Sequence, residues 1–263
     1  MHQSVLLQES IENLNLKENS IIVDATLGYA GHSSEILKRI PKGKLIAFDQ
    51  DDEAIDASKK RLDQIASNYQ IIKSNFVHLK EELEKNNIKQ IDGILFDLGV
   101  SSPQLDEDYR GFSFHKDAIL DMRMDTSNPV SAYNVVNEYS KEQLMNIFYQ
   151  YGEEKYSNSI ASKIVEYRKN KKIETTLELV EIIKSAVPEK YKREHHPARK
   201  VFQAIRIEVN HELEVFEIAL RNALELLNKN GRVCVITFHS LEDKICKDIF
   251  KEVSEINPEL KHM

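Results

Sequence analysis

The stretch from Ile21 to Ser34 constrains the fold most. Ile21, Ile22 and Val23 are a short β-branched apolar run of the kind that forms a strand buried on both faces. Asp24 ends the run, Gly28 and Gly31 follow in a turn, and Ser33 or Ser34 is placed to cap a helix beginning near Glu35. Glycines let a backbone approach a ligand closely, and the following helix offers free N–H groups. A second apolar run, Leu45 to Asp49, also ends in a carboxylate. Asp49 stands at about the 20-residue spacing at which such folds set an acidic residue on ribose hydroxyls.

The turn does not read G-x-G-x-x-G, because the third glycine of a dinucleotide site is missing. Asp24 standing before it would repel a pyrophosphate. A carboxylate there suits a ligand that carries an ammonium group, such as the methionine part of S-adenosylmethionine. A nucleotide-dependent oxidoreductase is the alternative on this stretch, and the same two features weigh against it.

Further along, Tyr69–Lys73 and Ile91–Leu98 read as strands, with apolar helical stripes at Ile36/Leu37/Ile40, Ile55/Leu62/Ile65 and Leu79/Leu83 between them. Strands alternating with helices predict a parallel, doubly wound α/β sheet. Val5 to Leu14 predicts a helix laid on a sheet edge. The alternation stops at Pro103 and resumes with a fifth strand, Arg232–Phe238. Between them, capping boxes at Ser140/Gln143 and Thr175/Glu178 open helices. Pro197 opens a single long helix with an apolar face from Phe202 to Leu227. The expected organisation is one α/β domain, 1–104 with 206–263, holding an all-helical insertion, 105–205.

The chain has 263 residues, and no apolar run approaches the ~18 that a membrane span needs. With 41% hydrophobic and 30% charged residues, a soluble cytoplasmic protein is expected, with no membrane partner. Cys234 and Cys246 lack C-x-x-C spacing and read as reduced thiols. The net charge of −7 argues against bulk binding to nucleic acid. Locally the balance reverses, since Lys163 to Arg206 carries twelve cations against six acids. Such a run inside an insertion points to phosphate contact, here assigned to Arg199, Lys200 and Arg206. His195 and His196 are adjacent, with no carboxylate or cysteine at ligand spacing, so no metal site is expected. Asp121, Arg123 and Asp125 read either as substrate contacts or as an ion pair bracing the insertion. His239-Ser240 lacks a third partner for a hydrolase triad and reads as a substrate-facing turn.

Several motifs in fixed order then resemble one family. They are His2-x-Ser-Val-Leu-Leu-x-Glu9, Asp24-x-Thr-x-Gly-x-x-Gly-His-Ser33, Asp97-Leu-Gly-Val-Ser-Ser-Pro-Gln104, Arg110-Gly-Phe-Ser-Phe114, Leu120-Asp-Met-Arg-Met-Asp125, Tyr151-Gly-Glu-Glu154, His196-Pro-Ala-Arg199, Phe202-Gln-Ala-x-Arg-Ile207 and Phe238-His-Ser-Leu-Glu-Asp243. Together they resemble the bacterial RsmH (MraW) family, which methylates the exocyclic amine of a cytidine in the decoding region of 16S rRNA. The resemblance implies a Rossmann-like class I methyltransferase sheet with S-adenosylmethionine as cofactor. Its substrate would be 16S rRNA or the small ribosomal subunit.

The same resemblance implies donor-binding residues Ala30, Gly31, His32, Asp49, Phe76, Asp97 and Gln104. Ala30 stands where the family usually has glycine. Phe76, just past the third strand, is placed to pack on adenine. Asp97, at the end of the fourth strand, is the expected catalytic acceptor for the amine, with a carbonyl of Leu98 or Gly99 taking its second N–H. The family continues past Met263 with two more strands. On that comparison the chain reads as shortened and its fifth strand as a sheet edge, expected to pair into a homodimer, to be covered by the N-terminal helix, or to aggregate. A non-catalytic RNA-binding assembly factor is the alternative outside enzymes.

Overall fold

The computed structural model describes residues 4–99 and 110–255. The chain divides into two compact units, 1–99 with 213–263, and 100–212.

The first unit is built on five strands, β1 (Ile21–Asp24), β2 (Lys44–Asp49), β3 (Tyr69–Lys73), β4 (Ile91–Asp97) and β5 (Leu227–Ile236). Their spatial order is β3-β2-β1-β4-β5, and every neighbouring pair is parallel. Helix α1 (Leu7–Asn13) precedes β1, and α2 (Gly31–Arg39), α3 (Asp52–Leu62) and α4 (Leu79–Lys85) fall between the early strands. Side chains alternate across a strand. Thus Ile22, Leu45, Ala47 and Leu95 pack under α1–α3 with Leu14, Ile36, Leu37 and Leu62. Val23, Ile46, Phe48, Ile94 and Phe96 bury the other face against Leu79, Leu83, Phe216, Leu220 and Ile249. Burial on both faces explains why these strands read as unbroken apolar runs.

The second unit contains helices α5 (Ala132–Glu138), α6 (Lys141–Gln150), α7 (Ser157–Tyr167), α8 (Thr176–Ser185), α9 (Glu189–Glu194) and α10 (Ala198–Asn210). Helices α11 (Glu212–Leu226) and α12 (Ser240–Ser254) return the chain to the sheet. The six helices share a core that includes Leu144, Phe148, Ile160, Ile164, Leu179, Val201, Phe202 and Ile205. Its only strand-like pairing among the described residues is an isolated bridge, Ile119 with Thr175. Ser140 and Gln143 form the expected capping box in full, and Thr175 caps α8.

Four elements differ from the sequence reading. Helix α2 begins at Gly31, not near Glu35, because Ala30 takes a left-handed φ of 58° as its N-cap. Ser33 and Ser34 therefore lie inside the helix and cap nothing; their hydroxyls donate to Asp24 and to the Ala30 carbonyl. The single helix expected after Pro197 is two, broken where His211 adopts φ 51°. Asn210 anchors the break, donating to the Met122 carbonyl and accepting from the Met124 N–H. Strand β5 starts and ends earlier than expected. Ile91 pairs with Leu227 and Gly93 with Arg232, so the intervening residues bulge out, with Asn230 at φ 69° and Asn228 tied to Asp92. Finally, α1 lies on the face of the sheet rather than its edge, with Ile11 and Leu14 in the same cluster as Cys234 of β5. No helix among the described residues is long and apolar enough to cross a membrane.

Candidate active site

Reading the strands in spatial order, the direction of connection reverses between β1 and β4, and that reversal opens the crevice where such sheets bind ligands. Asp24 and Asp97 end those two strands, and Asp49 ends the neighbouring β2. Sequence position alone thus placed three carboxylates at one rim.

The glycine turn is fastened to that rim. Gly28, at φ 49°, donates its N–H to Asp49 Oδ2 at 2.8 Å. Asp49 Oδ1 accepts from the N–H groups of Gln50 and Asp51 at 2.8 and 2.9 Å. Burial pushes the Asp49 carboxyl up to about 6, against the three N–H bonds that pull it down. Ser58 closes the turn from α3, donating to the Gly28 carbonyl. Nothing lies within 4 Å of where a Cβ on Gly28 would stand, so the turn is open to a ligand there. At Gly31 the space is taken, since a Cβ would fall 1.7 Å from Ser4 Oγ. The segment before α1 therefore straps the start of α2, and the Val5 carbonyl lies 3.0 Å from His32 Nε2. This is the structural use of the N-terminal motif, and the sequence reading did not find it.

Asp24 is buried between strand and helix, where Oδ2 accepts from Ser33 Oγ at 2.6 Å and Oδ1 from the Thr26 N–H at 3.1 Å. Burial raises its pKa, opposed by Ser33, His32 and Thr26. Thr26 also takes the Asp97 N–H on its Oγ1 at 2.7 Å, locking the end of β4 to the turn. Asp97 itself is half-buried, with Oδ2 3.7 Å from His32 Nδ1. Its other oxygen, Oδ1, is buried and has no hydrogen-bond partner among the described residues. Burial drives the Asp97 carboxyl up to about 6; His32 opposes the shift and Asp24 adds to it. Thr26 and Ser33 were legible only as letters of a motif, and their roles appear once the strand ends meet.

The residues fit a cationic ligand. Asp24, Asp49 and Asp97 surround an open turn, and a buried acceptor without a partner attracts a donor or a positive charge. They do not fit a pyrophosphate. Phe76 opens a 3₁₀ turn (Phe76–His78) after β3, its ring edge-on to Phe96 at 5.7 Å and half-buried. It is braced from beneath by the core. Gln104 lies outside the described residues.

A parallel sheet in this order, with a glycine turn after β1 and acids ending β1, β2 and β4, defines a class I methyltransferase that uses S-adenosylmethionine. Comparison with known proteins then narrows the class. The chain belongs to the MraW methylase family, which it matches over residues 1–262. It is 57% identical over 260 residues to the ribosomal RNA small subunit methyltransferase H of Exiguobacterium sibiricum, covering 98% of this chain and 83% of that relative. It is 54% identical to the protein of the same name from Finegoldia magna, covering 95% and 81%. Among solved structures, the Pyrococcus horikoshii NSun6 with SFG aligns with 95% of this chain and 41% of that one, at 11% identity and TM-score 0.46.

The second unit disposes of its cations unevenly. Arg206 makes a two-pronged pair with Glu212, 2.8 Å from Nε and 2.9 Å from Nη2, both side chains largely buried. That geometry makes it a brace across the break at His211. Lys200 reaches the Glu153 carbonyl at 2.8 Å. Lys163, Lys171, Lys184 and Lys192 each sit on a glutamate, and Arg168 donates to the carbonyls of Val136 and Tyr139. Among the described residues Lys169, Lys172, Lys190, Arg193 and Arg199 have no carboxylate within ion-pair distance, and Arg199 is exposed. Asp121 and Arg123 form the ion pair of the bracing alternative: Arg123 Nε and Nη2 grip Asp121 at 2.8 and 2.9 Å, and Nη1 reaches the Thr126 and Asn128 carbonyls. His196 stacks on Phe114 at 4.5 Å, and no metal-binding cluster occurs among the described residues.

Proposed function

We propose that the chain methylates the exocyclic N4 amine of a cytidine in the decoding region of 16S rRNA, presented as free rRNA or within the small ribosomal subunit, in the cytoplasm. The observation that carries this reading is Asp97, a strand-end carboxylate with one buried oxygen lacking a partner among the described residues. A cytosine amine is a poor nucleophile because its lone pair is delocalised into the ring. An acceptor on its N–H draws the nitrogen toward sp³ geometry, and holding it in line contributes on the order of 7–11 kcal/mol. S-adenosylmethionine supplies an electrophilic methyl on a sulfonium. Asp97 Oδ1 accepts one N–H, and a carbonyl of Leu98 or Gly99 takes the other. As the N–C bond formed, the methyl–sulfur bond would break, its electron pair staying on sulfur so that the donor leaves as neutral S-adenosylhomocysteine, and the nitrogen, left cationic, would pass its surplus proton to Asp97 or water. The base must be single-stranded or flipped from its stack to be reached.

The donor-binding set is Ala30, Gly31, His32, Asp49, Phe76, Asp97 and Gln104. Asp49 still has lone pairs for ribose hydroxyls beyond its three N–H bonds. Asp49→Ala should weaken S-adenosylmethionine binding by about 1.5–3 kcal/mol, the scale of a hydrogen bond to a charged group. Calorimetry showing unchanged donor affinity would remove Asp49 from the set.

The helical unit is the RNA-gripping part. Replacing Arg193 and Arg199 together should weaken rRNA binding and flatten its salt dependence, since fewer counterions are released. Arg206→Ala should instead lower stability and leave the salt slope alone, because it breaks a largely buried pair. A flattened slope for Arg206→Ala would put that guanidinium back on the phosphates. Pairing of two copies through β5 is a separate expectation, and light scattering decides it by mass.

The reading as a whole is tested by incubating the protein with labelled methyl donor and either free 16S rRNA or assembled small subunits. Label at a cytosine amine supports it. Binding without label on either substrate makes the chain an assembly factor.

A further inference from the structure

The carboxyl end of β5 carries a feature that the donor site does not use. Phe238 is 52% exposed, two residues beyond Ile236, the partner of Asp97 in the β4–β5 ladder. Two residues beyond Asp97 is Gly99, at φ 94°, and a Cβ there would sit 3.5 Å from Phe238 Cδ2. The ring thus lies beside bare backbone at the end of β4. A single exposed apolar side chain signifies little in itself. Here its backbone is held from below. The Phe238 N–H donates to Glu242 Oε2 at 2.8 Å, and Glu242 is only 2% exposed. The other oxygen of Glu242 lies 3.1 Å from His239 Nε2, off the line of a hydrogen bond, while His239 Nδ1 caps α12 by accepting the Glu242 N–H. Burying a carboxylate costs free energy. This one is spent on fixing a turn whose outward product is an exposed aromatic ring.

We propose that Phe238 is the nucleobase-stacking residue of the acceptor site, its ring taking the face of the flipped pyrimidine whose amine Asp97 holds. The inference rests on the methyltransferase reading above and adds to it a second recognition element. Asp97 fixes one edge of the base, and a ring beside Gly99 fixes its plane. Every base offers a π-face, so the stack supplies affinity and orientation, while the amine contact supplies the choice of base. Glu242 and His239 act through Phe238 as positioning residues.

The chain contains no tryptophan, so Phe238→Trp installs a single reporter. Its emission should be quenched on adding decoding-region 16S rRNA and should not change with donor alone. Phe238→Ala should lower kcat/KM for rRNA by roughly 5- to 150-fold, the range for losing one base–aromatic stack. Donor affinity by calorimetry should stay as it was. Phe238→Tyr and Phe238→Trp should retain activity, and Phe238→Leu should fail like alanine, because leucine fills the space without a π-face. A leucine variant as active as the parent, or tryptophan emission indifferent to an RNA that the variant methylates, overturns the stack. No methyl transfer by the unaltered chain would be a different failure: it sinks the methyltransferase reading, and the acceptor-site role of Phe238 with it.

Discussion

Asp97→Asn should lower single-turnover methyl transfer by about 100-fold or more, within the 10²–10⁴ range for a lost acid–base group, while donor affinity changes far less. The asparagine keeps the shape and one oxygen but loses the charge, and its NH₂ group can face the substrate amine as a second donor. The buried Oδ1 is the atom at stake. If donor affinity collapses in step with turnover, Asp97 is a donor ligand and nothing more. The same residue sets a pH dependence. Its carboxyl is raised to about 6 by burial, and it accepts an N–H best when ionised. The kcat/KM profile should therefore rise with pH through about 6 and level off above. Beside a bound cation the carboxyl ionises more easily, so the inflection in kcat should lie lower than that in kcat/KM. With donor saturating, the acid limb of kcat should vanish in Asp97→Asn, while any limb that remains at low donor belongs to Asp49, whose carboxyl burial also raises to about 6.

The largest expected loss of stability is at Gly111, in the second unit. It sits at φ 73°, and a Cβ would fall 2.2 Å from the Ile119 carbonyl oxygen and 3.2 Å from the Asp121 N–H nitrogen. Both neighbours are backbone and cannot swing aside. Arg110 on one side accepts the Met122 N–H, so the strained turn is also tied across its base. Gly111→Ala should cost about 2–5 kcal/mol, combining ~1–2 for the left-handed backbone with ~1–3 for overpacking. Gly28→Ala is the matched control. Its φ is also positive, at 49°, but the space beside it is open, so only the backbone part should appear. Denaturant unfolding that finds the two variants equally destabilised would refute the steric argument at Gly111.

The β1–β4 alternation, the glycine turn and the acids ending β1, β2 and β4 were legible because each rests on local rules. An apolar run of four or five residues makes a buried strand, and chain order then fixes which ends share a rim. The pairing of Lys163, Lys184 and Lys192 with glutamates three residues away was legible too, from helical spacing, and it thins the cation run once counted. Other features are set by tertiary contact. Ala30 holds a left-handed φ that alanine avoids by about 1–2 kcal/mol, so the start of α2 cannot be read from propensity. Ser4 fills the space above Gly31 from outside the motif that contains it. Arg206 finds Glu212 only because the chain turns at His211, which no helical periodicity anticipates. The unpartnered Asp97 oxygen and the Phe238 ring beside Gly99 likewise depend on strands distant in sequence lying side by side. Sequence by itself determined which chemical groups reach the crevice, because strand ends follow from local pattern. Only the tertiary structure decided which of those groups remain available to a ligand, because satisfaction and burial are properties of neighbours in space.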